Sequence, residues 1–307
     1  MTARLTRLRF TPWTSLLACL FLFTNALSAA SLTLTKLGAS EFLVEAAAPI
    51  HTPYVLQESE NLHLWGDVGE LVSGRLSHRF DGAGTPRRYF RLIPEPTPPP
   101  PIRVVILGDS TVAGERGWGS GWGTGLFDYF KPSAQIVNLA WPNMNTRDLF
   151  ASEPMAKMLA IKPNFVLVEF GWIDSGGFTT LAEFGANLRS LVETIRGFNG
   201  TPILITQPDP RSFDANGKVI RILEDRAHVM KQVAAELKTH LIDLHQMSYD
   251  LVSRLGKDGI GFLAFSTSDL VHYSLEGGRV IAGMVVRSLP DNLGPYLTGI
   301  FNSLPSP

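Results

Sequence analysis

Val104-Val105-Ile106-Leu107-Gly108-Asp109-Ser110-Thr111 is the stretch on which the fold turns. Four apolar residues ending at a glycine read as a short strand buried on both faces. Further runs of the same type lie at 136–137, 165–170, 203–206 and 241–242, and helical spacing fills 122–130, 155–161, 181–196, 222–239 and 275–289. Strand and helix thus alternate five times, which predicts an α/β domain whose parallel sheet is covered on both faces. Active sites of such sheets lie in the loops at the carboxyl ends of the strands. Ser110 stands at the first of those exits.

A Gly-Asp-Ser tripeptide is by itself only a turn. Its complement lies near the other end of the chain, where Asp269-Leu270-Val271-His272 precedes a helix that Ser274 can cap. An aspartate three residues before a histidine can fold back and accept the imidazole Nδ1–H. The other ring nitrogen is then free to take a hydroxyl proton. A loop histidine alone reads as structural; the order Ser…Asp…His makes a nucleophile, an orienting carboxylate and a base.

Composition narrows the classes. The 307 residues carry 27 Lys+Arg against 28 Asp+Glu, a formal charge of −1, which argues against binding nucleic acid through a basic surface. With 45% hydrophobic residues the chain is too apolar for disorder. Its single cysteine, Cys19, excludes an intrachain disulfide framework and a Cys-rich zinc site. His240 and His245 flank a short strand and point to opposite faces, so they read as structural rather than as a shared metal site. His228, inside a helix, reads the same way.

Residues 1–30 read as a secretory signal peptide: Arg4, Arg7 and Arg9, an apolar run from about Trp13 to Leu27, then Ser28, Ala29 and Ala30. The run is short of the ~20 apolar residues of a spanning helix. Cleavage falls between Ser28 and Ala30. It would remove three basic residues and no acidic one, leaving 24 against 28 and a charge of −4. Leu16-Leu17-Ala18-Cys19 loosely resembles a lipoprotein signal, but the apolar run continues past Cys19. The expectation is a secreted or periplasmic protein, monomeric, with no membrane span after cleavage.

Six of the eight residues from Pro94 to Pro101 are proline, a semi-rigid spacer. The predicted organisation is therefore 1–30 signal peptide, 31–93 small β module, 94–101 linker, 102–291 α/β domain and 292–307 a loosely packed tail. In the β module 54–57, 71–72, 76–80 and 88–92 look extended, with glycine-rich turns between them. It resembles small β-sandwich modules of secreted bacterial proteins, and Trp65 reads as its core.

From Arg103 to about Leu289 the chain resembles the SGNH (GDSL) hydrolases, specifically their rhamnogalacturonan acetylesterase-like branch. Gly108-Asp109-Ser110-Thr111-Val112-Ala113 resembles the nucleophile block, and Gly121-Trp122-Gly123 the segment after it. Val137-Asn138-Leu139-Ala140 with Thr146-Arg147 resembles the second block, and Glu169-Phe170-Gly171 with Asp174-Ser175 the third. Thr206-Gln207-Pro208 with Pro210-Arg211 resembles the next loop, and Asp269 with His272 the last block. The resemblance implies a three-layer α/β/α, flavodoxin-like hydrolase that removes acyl groups, often acetyl, from sugars. It implies Ser110 as nucleophile, His272 as base and then acid, Asp269 as orienter, and no metal or organic cofactor.

The sequence departs from that family at the oxyanion hole, which the family builds from the serine N–H, a glycine N–H and an Asn side chain. The second block here reads Trp141-Pro142-Asn143-Met144-Asn145, without glycine, and Pro142 has no N–H. Asn143 can adopt a left-handed backbone and stand in. Ile173 occupies the usual Asn position and donates nothing. Asn143, Asn145 or the Trp172 indole are the candidates to complete the hole. Losing one donor costs ~10²–10³ in turnover.

Trp118, Trp122, Trp141 and Trp172 fall in or beside these blocks, where aromatic faces suit sugar rings or pack beneath loops. Met144 hints at an apolar acyl pocket. Arg147 and Arg211 could meet a uronate carboxylate or form salt bridges. Three functional readings stand. The first is a secreted carbohydrate esterase acting on a polysaccharide or another small ester. The second is a non-catalytic glycan-binding relative, marked by a misplaced or obstructed Ser110. The third is a lipid or aryl esterase, marked by a narrow apolar cleft at Met144 and Trp141.

Overall fold

The computed structural model describes residues 31–47, 54–59, 62–70, 75–81, 88–94, 99–114 and 120–298. The expected signal peptide with Cys19, Leu71-Val72, linker residues 95–98, Trp118 and residues 299–307 lie outside them. The chain divides into two compact units. The first holds the N-terminal residues to Pro100 together with Asp128–Lys131 and Pro290–Ser306, and the second holds Pro101–Phe127 and Pro132–Leu289.

The first unit is built on two antiparallel sheets. One has the order β1 (Ser31–Lys36), β2 (Glu41–Ala47), β5 (Arg75–Asp81); the other has β4 (Gly66–Glu70), β3 (Tyr54–Ser59), β6 (Tyr89–Pro94). Val44, Ala46 and Phe80 from one sheet meet Leu56 and Phe90 from the other in a single core. That core also buries an ion pair, Arg88 Nη1 to Glu58 Oε2 at 3.1 Å. Trp65 is buried, donates its indole N–H to Leu62 O at 3.1 Å and carries the Arg91 guanidinium over its ring. The segment expected to be a loose tail is packed as far as it is described: Leu293, Tyr296 and Leu297 are buried. Its apolar side chains recur at helical spacing through the 3₁₀ turn Asp291–Tyr296, and its Gly and Pro bend it without exposing them.

The second unit is a three-layer α/β/α fold. Its five-stranded parallel sheet has the order β8 (Ala134–Asn138), β7 (Ile102–Gly108), β9 (Phe165–Phe170), β10 (Thr201–Thr206), β11 (His240–Ile242). Alternation along the strands separates the two faces. Val105, Leu107, Val166, Val168 and Leu204 form one core with residues of α1 (Thr146–Leu149), α2 (Glu153–Ile161), α3 (Leu181–Gly197) and α4 (Glu224–Glu236). Val104, Ile106, Leu167, Ile203 and Ile205 are equally buried on the other face. α5 (Leu244–Gly259) packs against β10 and α6 (Leu275–Arg287).

Two differences from the sequence reading are informative. α5 lies outside the helices expected from the sequence, although Leu244, Leu251 and Val252 form a buried stripe on it and Asp243 caps it through Gln246 N. Its polar residues between the apolar ones hide that stripe. The stretch 122–130, read as helical, is a 3₁₀ helix over Trp122–Tyr129. Its start is dictated by contact: a Cβ on Gly121 would collide with the backbone of Val112, and one on Gly123 with the Val112 carbonyl oxygen. Ser274 does cap α6, accepting from Gly277 N at 2.9 Å.

The strand order places β7 between β8 and β9, so the chain leaves the sheet in opposite directions on either side of β7. The crevice at such a switch point is where ligands bind in open α/β sheets. Because backbone cannot rearrange as a side-chain tip can, Gly121→Ala is expected to cost about 1–3 kcal/mol of stability. Urea denaturation of the purified variant checks this.

Candidate active site

Ser110 follows the end of β7 directly. Its loop is folded by Asp109, whose Oδ1 accepts the Thr111 N–H and contacts Thr111 Oγ1, both at 2.9 Å. Val112 N and Ala113 N close onto Asp109 O, forming a tight turn that leads the chain into the glycine segment. Among the described residues the Ser110 N–H has no acceptor, while the side chain meets His272: Nε2 to Oγ is 3.0 Å. His272 Nδ1 is 2.9 Å from Asp269 Oδ2. Asp269 Oδ1 in turn accepts the N–H groups of Val271 and His272 at 2.9 and 2.8 Å. Partial burial pushes the Asp269 carboxyl up, but those backbone donors and the imidazole outweigh it and hold it below its ordinary value. An ionised Asp269 accepts the Nδ1–H, so Nε2 is the nitrogen turned to Ser110.

The loop bearing His272 is braced from below. The Arg211 guanidinium donates to three of its carbonyls, His272 O at 2.6 Å, Val271 O at 3.2 Å and Asp269 O at 3.3 Å, and lies 4.7 Å from the centre of the Tyr273 ring. The expectation that Arg211 contacts substrate is therefore corrected. It is 3% exposed, and its fork is spent on backbone. Burial lowers its pKa.

The loop that carries Arg211 is anchored by His245, which is fully buried. Arg221 Nη2 lies 2.9 Å from its Nδ1, and its Nε2 lies 2.8 Å from Asp209 Oδ2. His240 and His228 bond to Ser288 O and Gln232. Among the described residues no group of three or more His, Cys, Asp or Glu could hold a metal ion.

On the oxyanion side, Asn143 has φ +62°, the left-handed backbone a glycine would supply, and its N–H meets no acceptor among the described residues. Asn145 cannot serve. It caps α1, its Oδ1 accepting Arg147 N and Asp148 N and its Nδ2 donating to Asp148 Oδ2. Ile173 is half-buried and offers no donor. Met144 is partly buried and packs against the core formed with α1 to α4, instead of standing free as the wall of an acyl pocket. Arg147 is exposed and pairs with Asp148.

Trp122 is fully buried and Trp172 half-buried, whereas Trp141 is 49% exposed. Trp141 and the 47% exposed Phe127 border a cavity of about 380 Å³ with Asn138, Thr124, Glu153 and Lys157.

Gln207, Asp174 and Glu169, motif members whose spacing implies no role, are given one by tertiary contact. Gln207 Nε2 donates to Asp109 Oδ2 at 2.9 Å and to Thr111 Oγ1 at 2.7 Å, and its Oε1 accepts the Trp172 N–H. Buried Asp174 accepts from Thr146 Oγ1 at 2.6 Å and Thr179 Oγ1 at 2.9 Å, tying the exits of β8 and β9 together. Arg226 donates to the Asp174 and Thr179 carbonyls at 3.0 and 2.6 Å. A polar residue with both ends committed inside a motif is the signal that marks such ties.

This fold, with a serine, a histidine and an aspartate in hydrogen-bond series at its switch point, is that of an acyl hydrolase. The model of the GDSL-like Lipase/Acylhydrolase family matches residues 106–280. The chain belongs to that family and is a carboxylic ester hydrolase. It is 25% identical over 211 residues to rhamnogalacturonan acetylesterase RhgT of Bacillus subtilis (strain 168), covering 62% of this chain and 90% of that protein. Identity is again 25% to the probable rhamnogalacturonan acetylesterase YesY of the same organism, over 64% of this chain and 95% of that one.

Among solved structures, protein YXIM from Bacillus subtilis has a TM-score of 0.56 at 20% identity, covering 80% of this chain and 79% of its own. The acetylxylan esterase Axe2 from Geobacillus stearothermophilus has a TM-score of 0.50 at 23% identity, covering 63% and 96%. These two share the fold.

Arg211 acts through the position of His272. Arg211→Ala is expected to lower kcat by about 10²-fold. Arg211→Lys should restore little of it, since a lysine replaces a planar fork by a point charge. Steady-state kinetics of the two variants on one aryl ester checks this.

Proposed function

We propose that this protein removes acyl groups, acetyl foremost, from a polysaccharide such as pectin or rhamnogalacturonan, by acyl transfer through Ser110, His272 and Asp269, and that it does so outside the cytoplasm. The observation that carries the reading is the unbroken series Ser110 Oγ–His272 Nε2, His272 Nδ1–Asp269 Oδ2 at 3.0 and 2.9 Å. His272 Nε2 takes the hydroxyl proton as Ser110 Oγ attacks the acyl carbon. The charge on the carbonyl oxygen is met by the N–H groups of Ser110 and Asn143. As the tetrahedral intermediate collapses, the imidazolium returns its proton to the departing sugar oxygen, and water then repeats the cycle on the acyl-serine. Asp269 steadies the imidazolium without itself taking a proton.

Three features support the carbohydrate class. The relatives matched by sequence are named as rhamnogalacturonan acetylesterases. Exposed Trp141 and Phe127 border a cavity that Thr124, Asn138, Glu153 and Lys157 also line, a mix of aromatic and polar groups that suits a sugar. The lipid or aryl reading needed a narrow apolar cleft at Met144 and Trp141; Met144 is partly buried against the core, and polar Asn138, Glu153 and Lys157 line the cavity beside Trp141. Among the described residues no helix is long and apolar enough to cross a membrane. The extracytoplasmic location rests on the basic and apolar pattern of residues 1–30.

Ser110→Ala is expected to lower acetate release from both aryl acetates and acetylated pectin fragments by about 10³-fold or more, and Asp269→Asn by about 10⁴-fold. Wild type that is folded yet no faster than Ser110→Ala on either substrate would refute the serine mechanism. Activity on the aryl ester alone would refute the glycan assignment.

A further inference from the structure

Glu169 lies at the end of β9 and is completely buried beneath the Ser110 loop. No step of the acyl transfer uses it. Its Oε2 is 2.9 Å from Thr111 Oγ1, and that hydroxyl is also 2.9 Å from Asp109 Oδ1 and 2.7 Å from Gln207 Nε2. A threonine hydroxyl carries one proton and two lone pairs, and the Gln207 amide can only donate to it. One proton cannot serve two carboxylate oxygens, so one of the two carboxyl groups must supply its own. Burial raises Asp109 as well, but it is the better anion of the two, because it also accepts the Thr111 N–H and the second Gln207 N–H. Among the described residues Glu169 has a hydrogen bond to Thr111, and the Trp122 indole is the other donor that acts on it.

We infer that Glu169 is a neutral carboxylic acid that donates its proton to Thr111, and that it is a positioning residue for the Ser110 loop. With that proton every contact of the Thr111 hydroxyl is satisfied: it accepts from Glu169 and Gln207 and donates to Asp109. The neutral acid also keeps a second anion away from the loop on which the oxyanion forms. Burial raises Glu169 well above its ordinary value, and the charge of Asp109 raises it further. The titratable groups facing it are Asp109 at the end of β7 and the buried Tyr273 after His272. Asp174, at the exit of β9, acts on Asp109, and Arg211 acts on Tyr273. Among the described residues no cation acts on Glu169 itself.

The sign of the pH effect follows. Below the unfolded glutamate value the group is neutral in both states. As pH rises, ionisation favours the unfolded chain until the higher folded value is reached, so this group's contribution to stability falls with pH through that window. Glu169→Gln keeps the donor and removes the titration. The positioning role rests on Ser110 as nucleophile; the protonation does not, and the tests separate the two.

Infrared spectra of wild type at about pH 8 should contain the carbonyl stretch of a protonated carboxylic acid, absent from Glu169→Gln. The Tm of Glu169→Gln should gain on that of wild type between about pH 5 and about pH 8. Aryl-ester turnover should fall about tenfold or more in Glu169→Ala and be rescued in Glu169→Gln. A wild-type spectrum without that band overturns the neutral acid, whatever the variants do. A Tm gap that is constant with pH, or a Glu169→Gln that does not fold, overturns it as well. A band that is present with no loss of turnover in Glu169→Ala overturns the positioning role alone.

Discussion

The site rests on one side-chain amide. Gln207 stands where the chain leaves β10, and its three hydrogen bonds reach the exit of β7 twice and the exit of β9 once. Loops at sheet ends move more readily than the strands beneath them. A fully buried amide whose donors and acceptor are all spent cannot shift without leaving one of them unpaired, which costs ~1–3 kcal/mol. Gly171 records how close this tie is. Its φ is +150°, and a Cβ there would come within 3.1 Å of the Gln207 oxygen. Glycine is what lets the third loop turn at that distance.

From this tie the other supports extend as a chain of braces. Arg211 reaches from the loop after β10 to the carbonyls around His272, and His245 holds that same loop through Asp209. Asp174 fastens the exit of β8 to that of β9, with Arg226 behind it. Ser110 and His272, 162 residues apart in sequence, therefore meet by way of interlocked loops rather than by mutual attraction. Their own hydrogen bond is one neutral contact, too weak to assemble the site alone.

The carboxyl groups near Ser110 are held in opposite states by their surroundings. Asp269 is only partly buried and receives two backbone N–H groups and an imidazole, so the anion is favoured. Glu169 is fully buried and faces a neighbouring acid, so the anion is disfavoured. The same functional group thus orients a base in one place and withholds charge in the other. Asn143 shows the same economy on the backbone. It takes the left-handed φ of +62° that glycine favours, while the Ile173 side chain offers no donor.

The strands of the α/β domain were legible because burial on both faces leaves short apolar runs; 165–170 reads off to the residue. The ordered motif residues gave the candidate nucleophile, base and orienter for a related reason, since each stands where a strand ends or a helix begins. α5 was missed because its apolar stripe is diluted by polar residues, and the packed segment after Pro290 because its glycine and prolines resemble those of a free end. What the sequence by itself determined is the alternation of elements and the types of group at the strand exits, both set by local spacing. Only the tertiary structure decided that Arg211 faces backbone instead of substrate, that Asn145 is a helix cap, that Met144 packs against the core, and that Thr111 lies between two acids. Those facts depend on which residues distant in sequence share a buried volume, and hydrogen-bond partners chosen inside that volume leave no period along the chain.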